Sequence, residues 1–340
     1  MQTVLTPEST RETLARLAEA NRKIAAAYPG DRSDRQPVHT VYGGAQLFAS
    51  DAAPRLGAAS LRALEEYAPD AATFAHALGL GGDAAFQAAV YERVLEKLKR
   101  EAVEDFRIDY EDGYGNRPDA EEDGHAVKGA EEVAKGLAAG TLPPAIGIRI
   151  KPLTDELSAR SLRTLGLFVS TLARATGGKL PGNFVVTLPK ITTPQQISTF
   201  VDVLETLERG LGLASGAIPI ELMAETTQTL FGPDGNVALP GFVAAGRGRV
   251  RGVHFGTYDY TASCSITARY QEPQHSACDF ARHVLQVTMA GTGVTISDGA
   301  TTVMPVAPHR AAPGATLTAA QRDENTRDAR RACSRRAARR

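Results

Sequence analysis

The stretch IPIELMAE, residues 218–225, sets Ile220, Leu222 and Ala224 against Glu221, Met223 and Glu225, because successive side chains of a strand point to opposite sides. One face is aliphatic and the other carries charge. Five further runs lead in the same way from apolar residues to a charged one: FRIDYED (106–112), IGIRIKP (146–152), VVTLPK (185–190), VRGVHFGTYD (250–259) and VTISDG (294–299). In the first of these, Phe106, Ile108 and Tyr110 oppose Asp109 and Glu111; in the second, Ile146, Ile148 and Ile150 oppose Gly147, Arg149 and Lys151. A ring of parallel strands makes this pattern when its outer faces pack on helices and its C-terminal ends share one site. A strand buried in a plain core would not hold Glu221 and Glu225 without partners.

Helical patterns fall between these runs. Residues 8–28 read as an amphipathic helix with Leu14, Leu17, Ala18 and Ala25 on one stripe, and helices are expected near 58–67, 84–103, 126–140, 155–176, 193–211 and 275–291. PVHTVYGGAQLF (37–48) reads as a first strand ending at Gly43-Gly44, and the acid-rich segment GYGNRPDAEED (113–123) as a loop. Strand and helix alternate throughout, which implies parallel strands joined by right-handed crossovers. The expected fold is a TIM (β/α)8-type barrel, and the count stops at seven strands, so the last strand is missing. The boundaries expected are an N-terminal helical extension (1–36), the barrel (37–310) and a basic, arginine-rich tail (311–340) that reads as solvated or aberrant.

A net charge of -1 gives no general attraction to nucleic acid or anionic membrane. No run reaches the roughly 18 apolar residues a membrane span needs, and the N-terminus has no signal-peptide apolar core. The cysteines Cys264, Cys278 and Cys333 form no CxxC pair or disulfide framework. A cytoplasmic location is the expectation. Strings for Walker A, HExxH and GxSxG are absent, and an EF-hand reading of residues 109–123 fails because its glycine falls at the fifth position.

Glu225 and Asp259 close consecutive strands. Two carboxylates with the other positions left to water and substrate is how Mg²⁺ is usually held in an open site; the alternative is a structural ion pair with Arg149 or Lys190. Arg149, mid-strand on the polar face, suits a carboxylate or enolate oxygen of a substrate, or a bridge to Asp109 or Glu111. Asp109, Glu111 and Asp112 are too many for one metal, so some of them orient Arg149 and Asp112 caps a loop. Lys190 reads as a Schiff-base nucleophile or a neutralising cation, and His39 as a proton shuttle or a core histidine.

These residues together resemble the HpcH/HpaI aldolase and citrate lyase beta-subunit family of the pyruvate/phosphoenolpyruvate barrel superfamily. IDYED is similar to that family's DLED strand, IRIKP to its RVNP, TLPK to its LPK, AET to its ET and FGTYD to its FGxxD, in order from about residue 37 to 299. The resemblance implies that Glu225 and Asp259 bind Mg²⁺ or Mn²⁺, that Arg149 binds substrate and that Asp112 lines the site with it; Lys190 and His39 are substrate-binding candidates on the reading of the residues themselves. It also implies that Asp109 and Glu111 belong to the catalytic wall. The implied reaction is reversible carbon–carbon cleavage or formation of a small oxo- or hydroxy-carboxylic acid, or its CoA thioester, through an enolate. Two alternatives stay open: a malate-synthase-like Claisen condensation, and an incomplete barrel that binds metal or acids without turnover. Association into a homo-oligomer is a further expectation, with no nucleic acid or membrane partner. The chain departs from the family in an added loop, GPDGNVALP (232–240), a longer acidic segment after FRIDYED, and no counterpart of the last strand.

Overall fold

The computed structural model describes residues 3–300, 308–312 and 314–326. Among them, seven parallel strands form one sheet in chain order: β1 (Val41–Gly44), β2 (Asp105–Asp109), β3 (Ala145–Arg149), β4 (Phe184–Leu188), β5 (Ile220–Ala224), β6 (Val250–Phe255) and β7 (Thr295–Ser297). Helix α1 (Pro7–Ala27) precedes β1; α2 (Ala52–Tyr67), α3 (Ala71–Leu78) and α4 (Ala84–Glu101) lie between β1 and β2. The later crossovers hold α5 (Asp119–Ala139), α6 (Ser158–Ala175), α7 (Pro194–Leu211), α8 (Thr227–Leu230), α9 (Leu239–Ala245), α10 (Thr257–Ser263) and α11 (Ser276–Met289).

The aliphatic faces expected from the sequence do point outward onto helices. Ile108, Ile146, Ile148, Val186, Leu188, Ile220, Leu222 and Val253 join Leu165, Phe168, Leu172, Phe200, Leu204, Phe242 and Leu285 of the helices in one buried cluster. Burial of each such side chain stabilises the fold by about 1.5–3 kcal/mol. Phe168 stacks on Phe184 with ring centroids 6.0 Å apart.

The polar faces meet one another because the sheet curls. Arg107 on β2 donates across the interior to both oxygens of Glu221 on β5, at 2.7 and 3.0 Å, to Thr187 on β4 at 3.2 Å, and to Asp105. His254 on β6 contacts Glu221 at 2.8 Å, and Tyr42 on β1 reaches Met223 on β5 at 3.8 Å. Arg107 is 1 % exposed, so this interior is a packed ionic layer. Gly147 is required where β3 faces β4, since a Cβ there would lie 2.2 Å from the Val185 carbonyl oxygen.

Among the described residues the ring is not closed: β7 and β1 share no ladder, and the fold they form is a TIM-type barrel one strand short. The segment leading into β1 runs along the open edge. Gly30 donates to the Gly291 carbonyl at 2.9 Å and the Gln36 amide to the Ile296 carbonyl at 3.1 Å. A cavity of about 830 Å³ opens at this seam, lined by Arg32, Arg107, Arg251, Phe255, Met289 and Ile296 among others.

Several local readings change. GYGNRPDAEED is only partly a loop, because α5 begins at Asp119 and carries Asp119, Glu121 and Glu122 in its first turn, where the helix dipole favours anions. Helix α3, capped by Asp70, was not expected. In β6 the register slips at Arg251, a one-residue bulge that keeps Gly252 and His254 on the interior face. Of the arginine-rich tail, residues 319–326 are helical and Asn325 is buried, exchanging two bonds of 3.0 Å with the His309 backbone. Residues 327–340, and Cys333 with them, lie outside the described residues. No helix among the described residues is long and apolar enough to cross a membrane.

Candidate active site at the C-terminal strand ends

Five of the eight residues singled out from the sequence lie around a sixth, Lys190, and a seventh, Asp109, anchors the arginine among them. Lys190, just past β4, places its Nζ against Glu111, 3.1 Å from Asp259 and 3.2 Å from Asp112. Its own backbone N–H donates to Glu225 Oε1 at 2.7 Å. The lysine holds φ at +48°, a left-handed conformation uncommon for a residue with a Cβ. That turn aims both the amide and the ammonium group at carboxylates.

Arg149 closes β3 and is almost wholly buried. Its Nε and Nη2 donate to the two oxygens of Asp109 at 2.7 and 2.5 Å, while Nη1 faces Glu111 at 3.1 Å and Asp112 at 3.6 Å. Asp109 also accepts the backbone N–H groups of Glu111 at 3.0 Å and Gly113 at 2.8 Å. With its acceptor sites filled and 1 % exposure, Asp109 orients Arg149 and the loop rather than meeting a substrate. The guanidinium also lies over the Tyr42 ring, 4.9 Å from its centroid.

Glu225 follows β5 and is 2 % exposed. Burial, then the charges of Asp259 and Glu111, push its carboxyl up to about 7 against the pull of Lys190. Burial likewise raises Glu111, despite Arg149 and Lys190. Lys190 is itself raised: burial opposes its charge, but the bond to Glu111 and the nearby carboxylates outweigh it. Lys190 thus stands as a cation among three carboxylates. Gly256 is needed beside Glu225, because a Cβ there would sit 2.4 Å from Glu225 Cβ and Oε2.

Two expectations are corrected. His39 is not on β1 and does not reach this cluster: its ring accepts the Glu104 N–H at 3.5 Å, just ahead of β2 at the opposite end of the sheet. Asp259 does not end a strand but sits in the first turn of α10. Tyr42 was not anticipated. Its alternation with the strand's other residues put it on the interior face, but only the curl of the sheet brings it over Arg149.

The donor set suits a divalent cation. Five carboxylates (Asp109, Glu111, Asp112, Glu225 and Asp259) face two cations, Arg149 and Lys190. No group of three or more His, Cys, Asp or Glu side chains that could together hold a metal occurs among the described residues. A pair of hard oxygen donors with its other positions open matches Mg²⁺ better than an all-protein cage. The seam cavity is not lined by these residues; it runs along the open edge of the barrel, from Asp105, Ala145 and Phe184 at the starts of β2, β3 and β4 to Phe255 and Ser297 at the ends of β6 and β7.

No curated protein matches the chain. Solved structures with similar backbones include a citrate lyase from Burkholderia xenovorans LB400, 19 % identical, covering 73 % of this chain and 74 % of that one with a TM-score of 0.47. An HpcH/HpaI aldolase/citrate lyase family protein from Burkholderia cenocepacia J2315 is 15 % identical, covering 61 % and 75 % at 0.40. Malate synthase from Haloferax volcanii is 16 % identical, covering 80 % and 66 % at 0.48. A family profile described as a domain of unknown function, DUF6986, matches residues 17–336, and with nearly the whole length matched, the chain belongs to the DUF6986 family.

Proposed function

We propose that this chain is a divalent-metal-dependent carbon–carbon lyase or aldolase acting on a small oxo- or hydroxy-carboxylic acid or its thioester. The observation that supports this most directly is the convergence of Glu225, Asp259, Glu111 and the Asp109-anchored Arg149 around Lys190 at the C-terminal strand ends. Glu225 and Asp259 would hold the cation, which supplies a Lewis acid for a substrate oxygen.

Arg149 is fixed by its two bonds to Asp109, so its remaining edge, Nη1, offers a preset donor to a substrate carboxylate. Glu111, which faces that edge and Lys190, is positioned to hold or accept a proton next to the bound acid. Lys190 keeps the carboxylates from repelling one another when no anion is bound. Burial of the cluster strengthens each of these interactions relative to water.

The test is exchange of the α-protons of pyruvate in deuterated water, with Mg²⁺, with EDTA, and in Glu225→Ala. Exchange that needs both the metal and Glu225 supports the proposal. Exchange that persists in EDTA or in the variant overturns it, and borohydride trapping at Lys190 would then assign Schiff-base chemistry. Absence of exchange under every condition, with a panel of oxo acids and acyl thioesters, would favour an incomplete barrel that binds without turnover.

A further inference from the structure

Helix α1 buries none of its 21 residues. It is nonetheless well made, with Thr6 and Ser9 forming a reciprocal capping box and Pro7 in its first turn. Leu14, Leu17, Ile24 and Tyr28 are 55 %, 53 %, 61 % and 53 % exposed. Their positions alternate in steps of three and four once Asn21 is included, which makes a three-heptad seam. Pro7, Leu14, Asn21 and Tyr28 take one seam position, and Thr10, Leu17 and Ile24 the other. Apart from Arg11, which flanks the seam, the charged groups lie on the far side, where Arg16 pairs with Glu12 and Lys23 with Glu19 within the helix.

We propose that α1 forms a parallel two-stranded coiled coil with α1 of a second copy of this chain, making the protein a dimer. Asn21 selects the partner. A primary amide both donates and accepts, so an identical amide across the axis satisfies it, whereas an unrelated apolar surface would strand it. A lone asparagine in such a seam fixes register and the number of strands. Of the flanking residues Arg11, Thr13, Ala18, Ala20, Ala25 and Ala27, Arg11 alone is charged, so no row of like charges would repel a second copy.

The parallel direction follows from the base of the helix. Tyr28 lies beside Gly291, just past α11, where Val287 is 78 % exposed. The apolar seam therefore continues onto the barrel surface, and a parallel pair brings two such bases together. An antiparallel pair with the asparagines opposed would use only the part of each helix within seven residues of Asn21, since the helix ends by Tyr28.

Light scattering on the full chain at micromolar concentration should give twice the chain mass. Leu17→Asp should reduce this to the chain mass, weakening association by about tenfold or more, with the melting temperature equal to the parent's at a dilution where both are monomeric, because α1 is outside the core. Leu14→Cys under mild oxidation should give a disulfide-linked dimer that the parent chain does not form, since like seam positions face each other only in a parallel pair. A monomeric parent, a dimer whose mass Leu17→Asp leaves intact, or absence of the Leu14→Cys cross-link would each overturn the proposal. A melting temperature of Leu17→Asp that stays below the parent's at a dilution where both are monomeric would also overturn it, by showing that α1 packs on its own barrel.

Discussion

Replacing Arg107 by methionine should destabilise the protein by about 3–4 kcal/mol. The side chain is 1 % exposed and holds Asp105 on its own strand and Glu221 across the barrel. Breaking a buried ion pair on one side costs about 3–5 kcal/mol, because the partner's charge is left without compensation. The lower part of that range applies here. Glu221 would keep His254 at 2.8 Å and Thr187 at 3.0 Å, and Asp105 would keep the Thr40 hydroxyl at 2.9 Å. The variant Arg107→Met/Glu221→Met should recover part of the loss, with a coupling of about 2 kcal/mol, since an apolar pair of similar volume removes the stranded charge. Urea unfolding of the parent, both single variants and the double variant measures this directly. Acid supplies a second arm. Glu221 is held well below the ordinary carboxylate range: burial would raise it, but the charges of Arg107 and His254 and their hydrogen bonds outweigh burial. Its contribution is therefore complete above the unfolded value near 4.3 and is lost as pH falls toward the folded value. The gap between parent and Arg107→Met should narrow on acidification. A loss below about 1 kcal/mol, strict additivity in the cycle, or a gap that widens toward low pH would refute the reasoning.

Three further outcomes are expected. Gly256→Ala sets a Cβ 2.4 Å from Glu225, so Mn²⁺ affinity measured by calorimetry should drop about tenfold or more; an unchanged affinity would separate Glu225 from metal binding. Lys190→Gln removes the ammonium group from three carboxylates, so saturating Mg²⁺ should raise the melting temperature of this variant by more than it raises the parent's. Glu208→Gln disrupts a buried bidentate pair with Arg249, at 2.6 and 2.8 Å, and should cost about 3 kcal/mol in thermal or urea melts. Despite burial, Arg249 and the Ile218 and Gly216 amides hold Glu208 below its usual range, so the parent should lose this increment as pH falls below about 4, while the variant should not.

Alternation at period two made the strands legible, because each outer face packs on helices and each inner face carries charge. The same rule put Arg149, Glu221 and Glu225 inward. It failed for Asp259, since FGTYD continues the apolar run of β6 by composition while Gly256 ends the strand and starts α10. It also failed at His39, where the apolar neighbours of Val41 suggested a longer strand than the four residues that pair. The start of α5 was hidden by its acids, although Pro118 followed by Asp119 and Glu121 is itself a helix-start signal. Contacts such as Tyr42 over Arg149 depend on the curvature of the sheet. No local pattern encodes them.

A closed barrel ties strand number, tilt and stagger together around its circumference. Here β1 and β7 are free of that constraint, so the spacing between opposite walls is not dictated by the hydrogen-bonded rim. Arg107 spans it instead, acting as a cross-brace between β2, which leads to Asp109 and Glu111, and β5, which leads to Glu225. The width of the site mouth is thereby tied to one ionic contact at its floor. Any change that slackens that contact would alter how far apart these carboxylate-bearing walls stand while every strand remains paired with its neighbours.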